Sequence, residues 1–189
     1  MTNSDFPKTV PAASGEFTLR VPDAGDADAI HSFAVSLPDH DLLYMRRDIS
    51  KRPVVDAWLE SVADGESLAL VVEADGVLIG MSGLMLDRKS WSPHVGEIRV
   101  LIGSDARGKG VGRVMVQETF AQALGQGVEK IIAQMTLDQS AARAVFQEMG
   151  FQQEALLRDH VRDRNGEDHD IVIMSCDVES TASRMTRYR

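Results

Sequence analysis

Cysteine is almost absent: Cys176 is the only one in the chain. One thiol can build neither an intramolecular disulfide nor a cysteine metal cluster. Its place in the strand-like run DIVIMSCDV marks it as buried and inert. Long apolar runs are missing too. None approaches the roughly 20 residues of a membrane helix, and the opening MTNSDFPKTVPAASGE lacks the charged-then-apolar layout of a signal peptide. A soluble, cytoplasmic protein without a membrane partner is expected. Positive charge is in short supply: 20 Lys and Arg stand against 29 Asp and Glu, a net charge of -9. Tracking nucleic-acid phosphates needs clustered cations over a large area, so nucleic acid is not an expected partner. The acidic balance favours amines and basic peptides instead.

What is present suits one domain with a real core: 189 residues, 43% of them apolar. Residues 1–15 mix Pro, Ser, Thr and Ala without period and read as a flexible tail, and residues 179–189 as another, leaving 16–178 as the folded domain. EFTLRV (16–21) predicts a first strand. Ile30, Phe33, Ala34 and Leu37 then recur at helical spacing up to Pro38, and Val55, Trp58, Leu59 and Val62 do so after Pro53. Two β-rich runs flank Asp75-Gly76, a hairpin signature. HVGEIRVLI (94–102) is the next strand, followed by a helix over about 110–125 that stops near Gly125 and Gly127. KIIAQMTL alternates as a strand, and a helix marked by Ala142, Val145, Phe146 and Met149 follows, with Asp138 as N-cap and Gly150 just past its end. A second hairpin turns at Asn165-Gly166. The order β-α-α-β-β-β-α-β-α-β-β describes one α/β domain on a mixed sheet.

One join concentrates bare backbone and positive charge. SDARGKGVGRVMV (104–116) holds three glycines and three cations between a strand and a helix. Glycine lets backbone approach a ligand closely, and a helix start presents unpaired N–H groups and the positive dipole end, an anion site. Arg107, Lys109 and Arg113 add charge there. No Gly-Lys-Ser/Thr is present, so this is not a Walker A loop, and the G-x-G-x-G spacing is not the dinucleotide G-x-G-x-x-G. Taken alone, the stretch equally suits a glycine-rich turn with solvated cations.

Arg107-x-x-Gly110-x-Gly112 opening a helix resembles the pyrophosphate loop of the GNAT superfamily of acyl-CoA N-acyltransferases. The element order is similar to that fold, and DQSAARAVFQEMGF (138–151) resembles the family's helix that ends in Gly-Phe. The resemblance implies a mixed, mostly antiparallel sheet of about seven strands with about four helices, splayed between the fourth strand (95–102) and the fifth. Acetyl-CoA would enter that gap as acyl donor, its pantetheine pairing with the backbone of Val100, Leu101 and Ile102, where a bulge would free N–H groups. Arg107, Gly108, Lys109, Gly110, Val111, Gly112 and Arg113 would cradle the pyrophosphate. Gln139 stands where the family commonly has an Asn that contacts the cofactor. Phe146 stands where a Tyr often protonates the leaving thiolate, and phenylalanine has no proton to give. A thiol pKa near 8.5 lets a thiolate leave near neutral pH without that acid.

An amine must lose a proton to attack a thioester, and Glu97 is the candidate base. Alternation puts Glu97, Arg99 and Leu101 on one strand face, so Glu97 could equally pair with Arg99. His40 and Tyr44, between the first two helices, with His94 and His169, are candidates for the acceptor side. The carboxylates and histidines of the last hairpin read as a solvated polar face, and no metal is expected. The leading function is transfer of an acetyl group to a small amine or amino acid by direct attack on the thioester. Acetylation of a protein N-terminus or lysine, a non-catalytic acyl-CoA sensor, and a different phosphate-ligand protein are the alternatives. Related proteins are commonly dimers, and exposed strand edges at the last hairpin would allow a homodimer.

Overall fold

Asp75 and Gly76 both take positive φ, 50° and 76°, in the computed structural model, and the chain reverses there as the turn chemistry predicts. The structure describes residues 6–12 and 15–187. Strands β1 (Lys8–Ala12), β2 (Gly15–Arg20), β3 (Ser67–Ala74), β4 (Val77–Leu86), β5 (Val95–Ile102), β6 (Lys130–Thr136), β7 (Gln152–Arg162) and β8 (Asp168–Asp177) form one eight-stranded sheet. Its order is β1-β2-β3-β4-β5-β6-β8-β7, antiparallel throughout except for the parallel β5–β6 pair. The helices are α1 (Ala27–Ser36), α2 (Arg52–Ala63), α3 (Val111–Leu124), α4 (Ser140–Glu148) and α5 (Val178–Arg187).

Alternation along the strands sends side chains to two helical layers. Val71, Met81 and Leu101 pack with Ile30, Phe33, Val55 and Leu59 of α1 and α2. On the other face Leu84, Ile98, Ala133 and Met174 pack with Val116 and Phe120 of α3 and Phe146 of α4. Pro53 sits in the first turn of α2, where no intrahelical N–H is lost. Gly150 follows α4 at φ 96°, the left-handed stop the sequence predicts.

Both expected tails contain regular structure. Lys8–Ala12 pairs in register with β2 as an edge strand, where Pro11 costs no ladder bond to a further neighbour. Residues 178–187 form α5, whose start is held by the Asp177 carboxylate accepting the Ser180 N–H at 2.7 Å. Residues 1–5, 13, 14, 188 and 189 lie outside the described set. Among the described residues no helix is long and apolar enough to cross a membrane.

The β5–β6 ladder is the feature that shapes the site. It runs from Val95↔Lys130 to Ile98↔Ala133 and then ends, although β5 continues to Ile102 and β6 to Thr136. Each strand stays with its other neighbour: β5 pairs with β4 up to Ile102, and β6 pairs with β8 through Thr136. A gap therefore opens inside the sheet, between strands that are both fully supported on their outer sides.

Candidate active site

Which backbone groups face the gap follows from ladder parity. The Gly103 N–H donates to the Ile79 carbonyl at 2.9 Å, so that pair is of the hydrogen-bonded kind. Bonded pairs recur every second residue in an antiparallel ladder. Leu101 and Arg99 therefore direct their N–H and C=O toward β4, while Val100 and Ile102 direct theirs into the gap. This corrects two expectations. Leu101 offers the gap no backbone group, and its side chain is buried against the α1–α2 layer. No bulge is needed either, because β4 and β5 pair without a register shift from Gly80↔Ile102 to Leu86↔Gly96. The gap-facing groups arise because β6 departs.

Among the described residues, the side chains of Tyr44 and Arg107 reach the β5 edge of the gap. The Tyr44 hydroxyl donates to the Val100 carbonyl at 2.8 Å. Arg107 donates to the Ile102 carbonyl through Nε at 3.3 Å and Nη2 at 3.2 Å, and also binds the buried Asp41 carboxylate. Burial pushes the Tyr44 phenol well above its ordinary pKa, with the Asp41 charge adding to the effect, so the hydroxyl stays a donor.

The glycine loop lies at the same end of β5. Gly108 and Gly110 take φ of 73° and 84°, and a Cβ on either would meet nothing within 4 Å. Glycine is needed there for backbone conformation, in open space. Gly110 is the N-cap of α3, and no side chain caps the helix start. Its first N–H groups have no intrahelical partner. Val111 contributes backbone only, since its side chain is buried in the core. Lys109 is exposed, whereas Arg113 pairs with Glu148 of α4.

Gln139 and Phe146 are both engaged locally. Gln139 is the N-cap residue of α4, displacing the expected Asp138, and its side-chain oxygen accepts the Thr136 N–H at 3.2 Å. Phe146 is buried, edge-to-face against Phe151 with ring centroids 5.0 Å apart.

On the α1–α2 face of the sheet a cavity of about 480 Å³ opens between α2, the 45–49 segment and strands β4 and β5. Gly83 and Arg99 meet across the β4–β5 ladder at its floor, and Trp58 of α2 forms part of the opposite wall. Arg99 is buried. It donates to Glu97 Oε1 through Nε (3.1 Å) and Nη2 (2.7 Å), and to the Tyr44 carbonyl through Nη1 (2.5 Å). The pairing open to Glu97 on strand parity is thus formed. Burial lowers the Arg99 pKa from its ordinary value against the opposing pull of Glu97. Glu97 sits opposite Met85, which lines the cavity.

The histidines separate into two groups. His40 Nε2 lies 3.0 Å from the Asp138 carboxylate and 3.1 Å from Thr136 Oγ1, at the end of β6. Its ring stands edge-on to His169 at 5.2 Å, and His169 Nε2 is 3.3 Å from Asp163. Asp163, Glu167 and His169 bring ligand atoms within 4.8 Å of one another, but Asp163 Oδ1 already accepts the N–H groups of Asn165 and Glu167, as a turn carboxylate does. His94 belongs to neither group. It is exposed at the opposite end of β5 from the gap, where its carbonyl accepts the Glu129 and Lys130 N–H groups, so its placement on the acceptor side is corrected.

Residues that sequence reasoning did not place at the site are Arg46, Arg47, Trp58 and Gly83. The one visible signal was YMRRD (44–48), two adjacent cations in an acidic chain.

The model of the acetyltransferase (GNAT) family matches residues 27–151. No curated protein sequence matches the chain significantly. Among solved structures, the GNAT-family acetyltransferase from Streptococcus pneumoniae is similar with a TM-score of 0.74 at 17% identity, covering 85% of this chain and 99% of its own. Spermidine N-acetyltransferase from Vibrio cholerae, in complex with CoA and spermine, gives 0.73 at 20% identity over 88% and 98%. The yncA protein of Salmonella typhimurium, with its cofactor acetyl-CoA, gives 0.72 at 21% identity over 86% and 94%. At these identities the likeness is one of fold.

Proposed function

The chain belongs to the acetyltransferase (GNAT) family, and on that premise we propose that it transfers an acetyl group from acetyl-CoA to the amine of a small molecule or amino acid. One observation carries the reading: the sheet opens at Val100 and Ile102 directly beside an uncapped helix start with open space at Gly108 and Gly110. The donor fits these residues. Its pantetheine amides match the gap-facing groups of Val100 and Ile102, and its pyrophosphate matches the N–H groups at 111–113 with Lys109 and Arg107. Acetyl-CoA supplies an activated acyl carbon and a thiolate leaving group.

The acceptor binds in the cavity on the α1–α2 face, and Glu97, held by Arg99, takes the proton its amine sheds. The amine nitrogen bonds to the acyl carbon, the C–S bond breaks, and the sulfur leaves as thiolate. In this reading a gap-facing N–H of β5 that pantetheine leaves free stabilises the charge developing on the thioester oxygen. A cavity of about 480 Å³ has room for a small acceptor.

A second reading, acyl-CoA binding without turnover, draws on Phe146, a core side chain where a proton donor is common in the family. Thiol release from acetyl-CoA, with pooled amino acids, polyamines, aminoglycosides and basic peptides, separates the two. Release above the hydrolysis baseline with one pool supports transfer. Silence from all pools, with acetyl-CoA still raising the melting temperature, supports the binding module.

A further inference from the structure

The acceptor cavity is charged unevenly along its length. Arg46, Arg47 and Arg99 line it, with Arg99 near the centre of β5. Glu66 and Asp87, also lining it, lie at the far end of β4. Gly83 faces Arg99, and Asp87 is four residues farther along that strand, about 13 Å away at strand rise. Of the three guanidinium groups, Arg99 already spends its donors on Glu97 and the Tyr44 carbonyl. Among the described residues neither Arg46 nor Arg47 makes an ion pair, and both are exposed at the cavity rim. Arg46 also stands close enough to Arg99 to act on its charge, so an unpaired guanidinium lies beside the Arg99–Glu97 pair. Beyond Arg99, on the side away from Asp87, the floor is apolar where Met81 faces Leu101, and Met45, Ile49, Val54 and Trp58 add further apolar lining.

We infer that the acceptor carries an acidic group next to its amine and an apolar body, as an apolar α-amino acid does, and that Arg46 and Arg47 receive the carboxylate. The inference rests on the acetyltransferase reading and names the substrate class within it. Guanidinium groups bind carboxylates with paired, charge-assisted hydrogen bonds. A polyamine would bring cations against the unpaired Arg46 and Arg47. The net negative charge of the chain points toward cationic substrates, but these two unpaired charges at the cavity are positive.

The test uses the full chain, saturating acetyl-CoA, and matched pairs: leucine, methionine and phenylalanine against the amines they become on loss of the carboxylate, with spermidine alongside. At least one amino acid is expected to exceed its amine in kcat/KM by about tenfold or more, the worth of one charge-assisted pair. The double substitution Arg46→Ala, Arg47→Ala is expected to raise the amino-acid KM about tenfold while the acetyl-CoA KM and the amine's rate stay within about twofold. Both side chains are exposed, so folding should survive, and an unchanged melting temperature checks that. As a readout independent of turnover, the amino acid should raise the melting temperature in the presence of CoA more than its amine does. Amines or spermidine acetylated as well as the amino acids, or an unchanged amino-acid KM in the double variant, would overturn the inference and leave the transferase intact. Absence of thiol release above the hydrolysis baseline with every acceptor tried would instead overturn the transferase reading beneath it.

Discussion

The Tyr44 hydroxyl and the Val100 carbonyl, 2.8 Å apart, join the segment before α2 to the strand edge where the sheet opens. Removing the hydroxyl leaves a gap-facing acceptor without its internal donor. Tyr44→Phe is expected to lower stability by about 0.5–1.5 kcal/mol, the net worth of one hydrogen bond. The freed carbonyl is then available to a pantetheine amide, so acetyl-CoA affinity should hold or improve. Chemical denaturation and titration calorimetry read the two effects separately, and a weakened affinity would argue that Tyr44 contacts the donor.

Glu97→Gln keeps an acceptor for Arg99 and removes the base. Turnover should fall by about 10²-fold or more, as loss of a general base does, with acetyl-CoA affinity near wild type. Equal turnover in both proteins would remove Glu97 from the mechanism and confine it to holding Arg99.

Gly110→Ala tests the loop. The residue holds φ at 84°, a conformation that costs a side-chain-bearing residue about 1–2 kcal/mol. The new methyl group enters open space rather than the core. The acetyl-CoA KM should rise about tenfold with a modest loss of stability, while the variant stays folded.

Gly83 floors the acceptor cavity, and a Cβ there would sit at ordinary contact distances, 3.5 Å from the Leu68 carbonyl oxygen and 3.9 Å from Trp58 Nε1. Gly83→Val should therefore fold and occupy acceptor space. The acceptor KM is expected to rise while the acetyl-CoA KM does not. A parallel rise in both would show that the cavity and the donor gap are one volume.

Acid stability depends on Asp26. Its carboxylate accepts Arg20 Nη2 at 2.6 Å and Nη1 at 2.7 Å, and that pairing holds its pKa below the usual carboxylate value. A depressed native pKa contributes stability that is present above the unfolded value of about 3.9 and lost as pH falls through the native one. Wild type should lose stability below about pH 4, and Asp26→Asn, already weakened at neutral pH, should lose less over the same range. Melting temperatures between pH 3 and 7 give both curves.

Elements whose chemistry is local were legible in the sequence. Asp75-Gly76 carries its own turn geometry, Pro53 its helix start, and Gly150 its helix stop. The glycine loop was legible because the positive φ at Gly108 and Gly110 demands glycine locally. Elements defined by a distant partner were not. β1 exists because β2 pairs with it, and Asp138 abandons the α4 cap for His40, 98 residues away in sequence. The parity that turns Leu101 away from the gap depends on the Gly103–Ile79 bond, which no spacing within one strand reveals. Arg46 and Arg47 lie in irregular chain, where no period signals which side chains turn inward.

The segment 39–46 touches every working part: Asp41 holds Arg107, Tyr44 holds Val100 and Arg99, His40 reaches Asp138, and Arg46 lines the cavity. Eight consecutive residues thus fasten the gap edge, the arginine of the glycine loop, the end of β6 and the cavity rim to one short stretch of chain, so an insertion or deletion there would disturb all four at once.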